Sequence, residues 1–162
     1  MASNLKSFVW KILKFPPRII YAIGLGPIYG RVVLLLITTG RKSGLPRVTP
    51  LQYEEIEGKI MIGSARGTSS DWYRNIVAEP EVIVRVGSRK FKGRGEPVSD
   101  PKRVADFIEY RYKKNPRMIG FIMSREGVSK SPTRLELEKH AEGKAIVVIT
   151  PWMEDNSNQV DK

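Results

Sequence analysis

Residues 31–51 read RVVLLLITTGRKSGLPRVTPL, an apolar run followed by a basic turn and a second strand-like run. The run 31–38 has the length of a strand and is almost continuously apolar, which is typical of a strand buried on both faces. Gly40 and Gly44 bound the turn, and glycine permits the backbone angles of a tight chain reversal. The stretch therefore predicts two antiparallel strands joined by a cationic turn.

Turn residues divide the rest of the chain into further short elements. We predict strands over residues 47–55, 59–64, 81–86, 90–98 and 144–150, and helices over 72–78, 101–115, 117–124 and 133–141. The strand 90–98 alternates and is strongly basic, which indicates an exposed or edge strand. Hairpins followed by a late group of helices favour an antiparallel α+β domain over 31–152, with a last strand that closes a small barrel and a polar tail at 153–162.

Charge and composition restrict the kind of chemistry that the chain can perform. The 162 residues include 28 Lys and Arg against 17 Asp and Glu, so the formal net charge is +11. This excess favours a polyanionic partner: nucleic acid, an anionic membrane, or a phosphorylated or carboxylated small molecule. The chain has no cysteine, and its one histidine, His140, lies among charged residues that indicate a solvated helix face. Thiol and multi-histidine metal chemistry are therefore excluded, and a bound cofactor is expected to supply the reactivity.

Residues 1–30 differ in character from the rest of the chain. Apolar residues recur there at helical spacing, opposite a basic side, at Leu5, Phe8, Val9, Ile12 and Leu13. We predict an amphipathic helix that packs on the domain or on a second subunit, as in a homodimer, or else contacts an anionic membrane surface through residues 1–17. Neither a bilayer-spanning segment nor a secretory signal is predicted, so the expected location is the cytoplasm or the inner face of the membrane.

Two segments carry the residues expected to bind an anion. The turn between the first two strands offers three cations and two hydroxyl groups, at Arg41, Lys42, Arg47, Thr39 and Ser43. The segment 64–70 offers further donors just before a helix, where exposed N–H groups favour negative charge. Solvated turns have a similar composition, so the residues alone leave that alternative open. Asp71 is expected to cap this helix, and Trp72 to pack in the core.

These segments resemble a known family. Residues 37–51, ITTGRKSGLPRVTPL, are similar to the signature of the deazaflavin-dependent nitroreductases, within the flavin and deazaflavin split-β-barrel oxidoreductases. The spacing to SARG at 64–67, to DWYRNI at 71–76 and to VIVRVG at 82–87 is similar as well, as is PRMIG at 116–120. The resemblance covers about residues 31–150.

The resemblance implies a split β-barrel of about six strands that binds coenzyme F-420, a deazaflavin with a phosphodiester and an oligoglutamate tail. It further implies that the basic turn holds the phosphate and the acidic tail. Carried over by position, the tail residues are Arg41, Lys42, Ser43, Gly44 and Arg47; the residues beside the ring are Thr49, Pro50, Leu51, Ser64, Ala65, Arg66 and Gly67; and Trp72, Tyr73 and Asn75 shape the ring loop.

The implied reaction is hydride transfer from the reduced deazaflavin to an electron-poor small molecule such as a quinone, a nitro compound or an activated alkene. The proton comes from water or from a tyrosine, the candidates being Tyr53, Tyr73, Tyr110 and Tyr112. Residues 65–67 read ARG where better-known members carry a longer Lys-Gly-Gly type loop, which leaves FMN open as an alternative cofactor.

Two other classes of function compete with this one. A basic hairpin with an aromatic residue has the composition of a nucleic-acid groove, at Arg85, Arg89, Lys90, Phe91, Lys92 and Arg94. The positive charge is scattered along the whole chain and no nucleic-acid motif is present, so no nucleic-acid partner is expected. The third interpretation is a membrane-tethered binding protein without catalysis.

Overall fold

A computed structural model describes residues 33–87 and 89–152. The elements of this part are β1 Val33–Thr39, β2 Pro46–Gln52, β3 Glu54–Ile56, β4 Lys59–Ser64, α1 Asp71–Ala78, β5 Glu81–Val86, β6 Arg89–Val98, α2 Pro101–Lys114, α3 Pro116–Arg125, α4 Arg134–Ala141 and β7 Ala145–Pro151. The predicted N-terminal amphipathic helix, its contacts through residues 1–17 and the polar tail lie outside the described residues.

The strands form one antiparallel sheet in the order β2-β1-β5-β6-β7-β4-β3. The two edge strands, β2 and β3, follow each other in the chain with only Tyr53 between them. The sheet must therefore curl until its edges meet, which makes it a barrel. The predicted α+β class and antiparallel barrel are confirmed. The single strand predicted over 47–55 is two strands, because at Tyr53 the chain leaves β1 and pairs with β4 instead.

The barrel is incompletely closed between β2 and β4. β3 pairs only with the first half of β4, residues 59–61, and β2 pairs only with β1. β2 and β4 approach each other without strand pairing, so residues 46–51 and 62–64 present unpaired edges to a gap that we call the split. Pro46 and Pro50 fit this position, because proline has no N–H to donate and is confined to strand edges.

Two hydrophobic clusters occupy the two faces of the sheet. The inner cluster fills the barrel with side chains from the strands, including Leu34, Leu36 and Ile62, and α1 contributes Trp72 and Ile76 to it. The outer cluster joins the opposite face of the sheet to α2, α3 and α4. Burial of apolar surface in these two clusters is the main stabilising contribution to the domain. In the part of the chain that is described, no helix is long and apolar enough to cross a membrane.

The strand β6 was expected to be exposed or to lie at an edge, and the edge position is wrong, because β6 lies inside the sheet between β5 and β7. Its exposed face carries Lys90, Lys92 and Arg94, whereas the alternate positions Gly93 and Gly95 are buried. A Cβ at Gly93 would lie 2.7 Å from the Thr150 carbonyl oxygen, so glycine permits the close packing of β7. Alternation indicated which face is solvated, but the number of strand neighbours is decided by long-range pairing.

Candidate functional site

The two segments predicted to bind an anion lie at the same end of the barrel. β1 and β4 end there, and the turn after β1 faces the loop after β4. We call residues 40–47 the cationic turn, residues 64–70 the serine loop, and this end of the barrel the rim. The turn is closed by backbone hydrogen bonds, from the Gly40 N–H to the Leu45 carbonyl (2.8 Å) and from the Gly44 N–H to the Gly40 carbonyl (2.7 Å). Gly44 has φ +65°, a conformation that glycine adopts without strain.

Arg41 fastens the cationic turn to α1. Its backbone N–H donates to Asn75 Oδ1 at 3.2 Å, and its Nη1 donates to the same oxygen at 3.1 Å. Its Nη2 forms an ion pair with Asp71 Oδ1 at 2.9 Å. Asn75 is 4% exposed and completes the junction by donating from Nδ2 to Thr38 Oγ1 at 3.1 Å. Arg41 and Asn75 are therefore brought together, and the guanidinium group of Arg41 is engaged within the protein.

The helix-capping role predicted for Asp71 from the sequence is wrong. This residue does not cap α1, since Ser70 occupies the N-cap position without a side-chain hydrogen bond, and the Asp71 carboxylate pairs with Arg41 instead. The hydrogen bond from Arg41 is the largest cause that lowers the pKa of Asp71, and the positive charges of Arg41, Arg66 and Arg74 act in the same direction. Four charged side chains thus meet at the rim, and the sum of their charges is positive.

The other two cations of the cationic turn form no hydrogen bond or ion pair with α1. Lys42 is exposed and has no hydrogen bond to the part of the chain that the structure describes. Arg47 is also exposed, and its Nη2 donates to Ser43 Oγ at 3.4 Å, which is a weak contact. The Ser43 hydroxyl also accepts from the Leu45 N–H at 3.3 Å. Lys42 and Arg47 are therefore the cations of the turn that are available to an external anion.

Along β2 the predicted residues alternate between the two faces of the sheet. Leu51 packs against the inner cluster, and side chains two residues apart share a face, so Arg47 and Thr49 lie on the inner side with it. Their register partners Thr38 and Leu36 are buried inner residues, which supports this assignment. Pro50 lies on the opposite face of the strand. The inner side of β2 thus carries, in order from the rim, the cation of Arg47, the hydroxyl of Thr49 and the apolar side chain of Leu51 beside the split.

The serine loop is organised by its own hydrogen bonds. Ser64 Oγ donates to the Gly67 carbonyl at 2.7 Å and lies 2.7 Å from Ser70 Oγ, and both serines are buried. Ala65 and Arg66 are exposed at the tip of the loop. Ser64 therefore holds the shape of the loop, and Arg66 is its outward-facing donor.

Gly67 is required by packing. It has φ +55°, and a Cβ on it would lie 1.9 Å from the Gly143 carbonyl oxygen, at the turn before β7. This contact holds the serine loop against the start of β7. The neighbouring backbone alone therefore explains why residue 67 is a glycine, and no ligand contact is needed to explain it.

The aromatic residues after the serine loop lie in the core. Trp72 is 9% exposed and Tyr73 is 5% exposed, and their rings meet edge to face at a centroid distance of 6.2 Å. The core position predicted for Trp72 is confirmed. Both rings pack in the inner cluster directly after the serine loop. Of the other tyrosines considered, Tyr112 donates its hydroxyl to the Lys130 carbonyl, and Tyr53 is half-buried at the strand switch beside the split.

A second junction, which the sequence analysis missed, closes the lower end of the split. Arg111 of α2 donates from Nη2 to Gln52 Oε1 at 3.0 Å and pairs through Nε with Glu54 Oε1 at 3.4 Å. Glu54 is 6% exposed and also pairs with Lys114 Nζ at 2.7 Å. Burial lowers the pKa of the Arg111 guanidinium, and Glu54 opposes that shift. These residues lie about sixty positions apart in the chain, so no local pattern could have joined them.

His140 is more enclosed than its sequence neighbours indicated. Its side chain is 11% exposed, and Nε2 lies 3.3 Å from Glu126 Oε2, so the solvated face predicted for it is wrong. α4 packs against the outer cluster, away from the inner side of β2. Among residues 33–87 and 89–152, no group of three metal-ligating side chains is present. The described site consists of cations, the Asp71 carboxylate, hydroxyls and an apolar strip.

The described part of the chain is therefore a curled antiparallel barrel with an open split and a cationic rim. The model of the F420H(2)-dependent quinone reductase family matches residues 23–119, more than half of the chain. The chain belongs to this family. The resemblance to deazaflavin-dependent oxidoreductases drawn from the sequence is thereby confirmed.

One curated relative agrees with the family match, and two solved structures share the fold alone. An F420H(2)-dependent quinone reductase of Mycobacterium tuberculosis (strain H37Rv) is 38% identical over 68 residues, which cover 40% of this chain and 46% of that protein. The matched part is thus less than half the length of the relative. Two solved structures share the fold: an F420-H2 dependent reductase (20% identity, TM-score 0.50, 74% of this chain and 94% of that one) and the haem storage protein HutZ of Vibrio cholerae (14%, 0.52, 78% and 85%).

Proposed function

We propose that this protein is an oxidoreductase that binds coenzyme F-420 and uses it to reduce an electron-poor small molecule, with quinones as the first candidate class. The family match and the name of the Mycobacterium tuberculosis relative support the cofactor and the quinone. The observation that carries the proposal is the position of the cationic turn at the mouth of the split, with Lys42 and Arg47 exposed.

The chemistry of the described residues fits this cofactor. Its phosphodiester and glutamate carboxylates need several cations on one surface, and Lys42, Arg47 and Arg66 lie exposed on segments that meet at the rim. Its flat ring needs an apolar wall with a few polar groups, which Leu51 and Thr49 offer on the inner side of β2. FMN would use the same ring wall but brings a single phosphate, so it would engage fewer of these cations.

The protein's own residues then act by binding and orientation. Lys42 and Arg47 hold the acidic end of the cofactor at the rim, while Arg41 and Asn75 keep the turn in place against α1. The unpaired edges of β2 and β4 offer backbone N–H and C=O groups that orient the ring in the split. When bound, the reduced cofactor supplies the hydride, so the chain needs neither a thiol nor a catalytic histidine. Tyr53 is the tyrosine placed beside the split that could hold a proton.

A fluorescence titration of the purified full chain with coenzyme F-420 and with FMN tests the proposal. We expect saturable binding of coenzyme F-420 that is tighter than that of FMN. Lys42→Ala and Arg47→Ala should each weaken it about tenfold, the loss of one charge-assisted hydrogen bond of about 1.4 kcal/mol. The matched control is Lys59→Ala, which removes an exposed cation at the opposite end of β4.

Two further measurements make the interpretation specific. A coenzyme without its glutamate tail should lose less affinity on the Lys42 and Arg47 substitutions, because those side chains would then have fewer carboxylates to hold. Oxidation of the reduced cofactor should be faster with a quinone added than without one. Equal binding of coenzyme F-420 by Lys42→Ala, Arg47→Ala and the wild type would show that the turn is not the cofactor site.

A further inference from the structure

The helix α3 presents apolar side chains both to the outer cluster and to solvent. Ile119 and Met123 are buried in the outer cluster, as expected for the inward face of a surface helix. Phe121 lies opposite them and is 62% exposed, and Ile122, about 100° round the helix from Phe121, is 42% exposed. A surface helix normally carries polar residues on its solvent side, and a helix that is apolar on both sides is normally covered on both. The outward face of α3 therefore indicates a binding partner.

The side chains around this apolar pair are cationic. Arg117, Phe121 and Arg125 follow one another at four-residue spacing and lie on one stripe of the helix. The Arg125 guanidinium lies 5.2 Å from the centre of the Phe121 ring, and residues 116–125 include no acidic side chain. We call Arg117, Phe121, Ile122 and Arg125 the α3 ridge.

The α3 ridge differs from the other exposed apolar positions of the described chain. Within residues 33–87 and 89–152, Phe121 and Ile122 are adjacent in sequence, whereas the other large apolar side chains that are exposed are isolated: Leu45, Val77, Tyr110, Leu135 and Trp152. Isolated exposed apolar residues are ordinary on soluble proteins. Phe121 and Ile122 instead lie about 100° apart on one helix, with Arg125 between them.

We propose that the α3 ridge docks on the surface of an anionic lipid bilayer. The aromatic and aliphatic side chains would enter the boundary between headgroups and acyl chains, while the two guanidinium groups remain among the phosphates. The absence of acidic side chains from α3 favours a negatively charged surface over a neutral one, since nothing on the helix would be repelled by it. With ten residues, α3 is far too short to span the bilayer, so the contact is interfacial.

Vesicle sedimentation with the full chain, without any cofactor, tests the docking. We expect the protein to bind vesicles of mixed phosphatidylglycerol and phosphatidylcholine more tightly than vesicles of phosphatidylcholine alone. The double substitution Phe121→Ser/Ile122→Ser should lower the partition coefficient about tenfold, because both apolar contacts are lost. Arg117→Gln and Arg125→Gln should each lower it about fivefold on the anionic vesicles, corresponding to about 1 kcal/mol per cation.

The matched control is Leu135→Ser, which removes a leucine that is 77% exposed on α4, next to acidic residues. It should bind vesicles like the wild type. The proposal is overturned if the double serine variant also binds like the wild type, or if both vesicle types bind equally. It is overturned as well if light scattering shows that the serine substitutions dissociate a dimer, since a second copy would then cover the ridge. Because the assay contains no cofactor, its result is independent of the proposed function.

Discussion

Asn75 is the residue on which the shape of the cationic turn depends most directly. Asn75→Ala removes two hydrogen bonds to Arg41 and one to the Thr38 hydroxyl, at 3.1–3.2 Å. Each bond contributes about 1 kcal/mol, and Thr38, which is only 2% exposed, would be left with a hydroxyl deprived of that donor, so the loss should be about 3–4 kcal/mol in the free energy of unfolding. For a protein of ordinary stability this is a large fraction of the total.

Urea unfolding followed by tryptophan fluorescence measures this effect, since Trp72 belongs to α1 and lies in the inner cluster. Val77→Ala is the control on the same helix, because Val77 is 60% exposed and its truncation should change stability by no more than about 0.5 kcal/mol. Combining Asn75→Ala with Thr38→Val should cost less than the sum of the single changes, since the hydroxyl left without its donor is then removed as well. If Asn75→Ala were as harmless as Val77→Ala, the reasoning about this junction would be refuted.

Two further predictions concern the serine loop and the histidine. Gly67→Ala should cost at least about 3 kcal/mol in unfolding free energy, because its Cβ would overlap the Gly143 carbonyl. The control Gly44→Ala should cost only about 1–2 kcal/mol, because Gly44 has φ +65° but open space around it. Equal losses would contradict the packing argument. Burial, and then the charge of Lys144, lowers the pKa of His140 from its ordinary 6.5, although Glu126 opposes the shift. Since the unfolded chain then binds the proton more readily, the contribution of this group to stability is complete above pH 6.5 and declines as the pH falls below it. NMR titration of this single histidine should give a pKa below 6.5, and His140→Gln should flatten the pH dependence of stability in that range; a pKa above 6.5 would show that the Glu126 pairing prevails.

Local patterns predicted most of the individual elements. The strands 59–64 and 81–86 were placed at their observed bounds, because each is a short apolar alternation between turn residues. The helix predicted over 101–115 begins at Pro101 as expected, because proline suits the first helical position and Asp100 Oδ1 caps the helix by accepting the Arg103 N–H at 2.9 Å. The helix predicted over 133–141 begins one residue later, at Arg134, because Thr133 is its N-cap and forms a capping box with Glu136.

The candidate site was predicted as a set of segments, and the structure separated the roles within them. The sequence treated Arg41, Lys42 and Arg47 alike as cations of one turn. The structure engages Arg41 with Asp71 and Asn75, thirty and thirty-four residues away, and leaves Lys42 and Arg47 exposed. Charge is a property of the residue and can be read locally, whereas the availability of that charge depends on partners that only folding brings near.

By itself the sequence determined the antiparallel α+β class, the cationic turn and the resemblance that the family match bears out. Those follow from side-chain period, turn chemistry and residue order, which are properties of neighbouring positions. Only the tertiary structure decided that the chain changes partners at Tyr53, that β6 lies inside the sheet, and that Arg111 joins β2 to β3 at the base of the split. The physical reason is that strand pairing and buried ion pairs depend on which distant segments meet, and one segment's pattern is compatible with several neighbours.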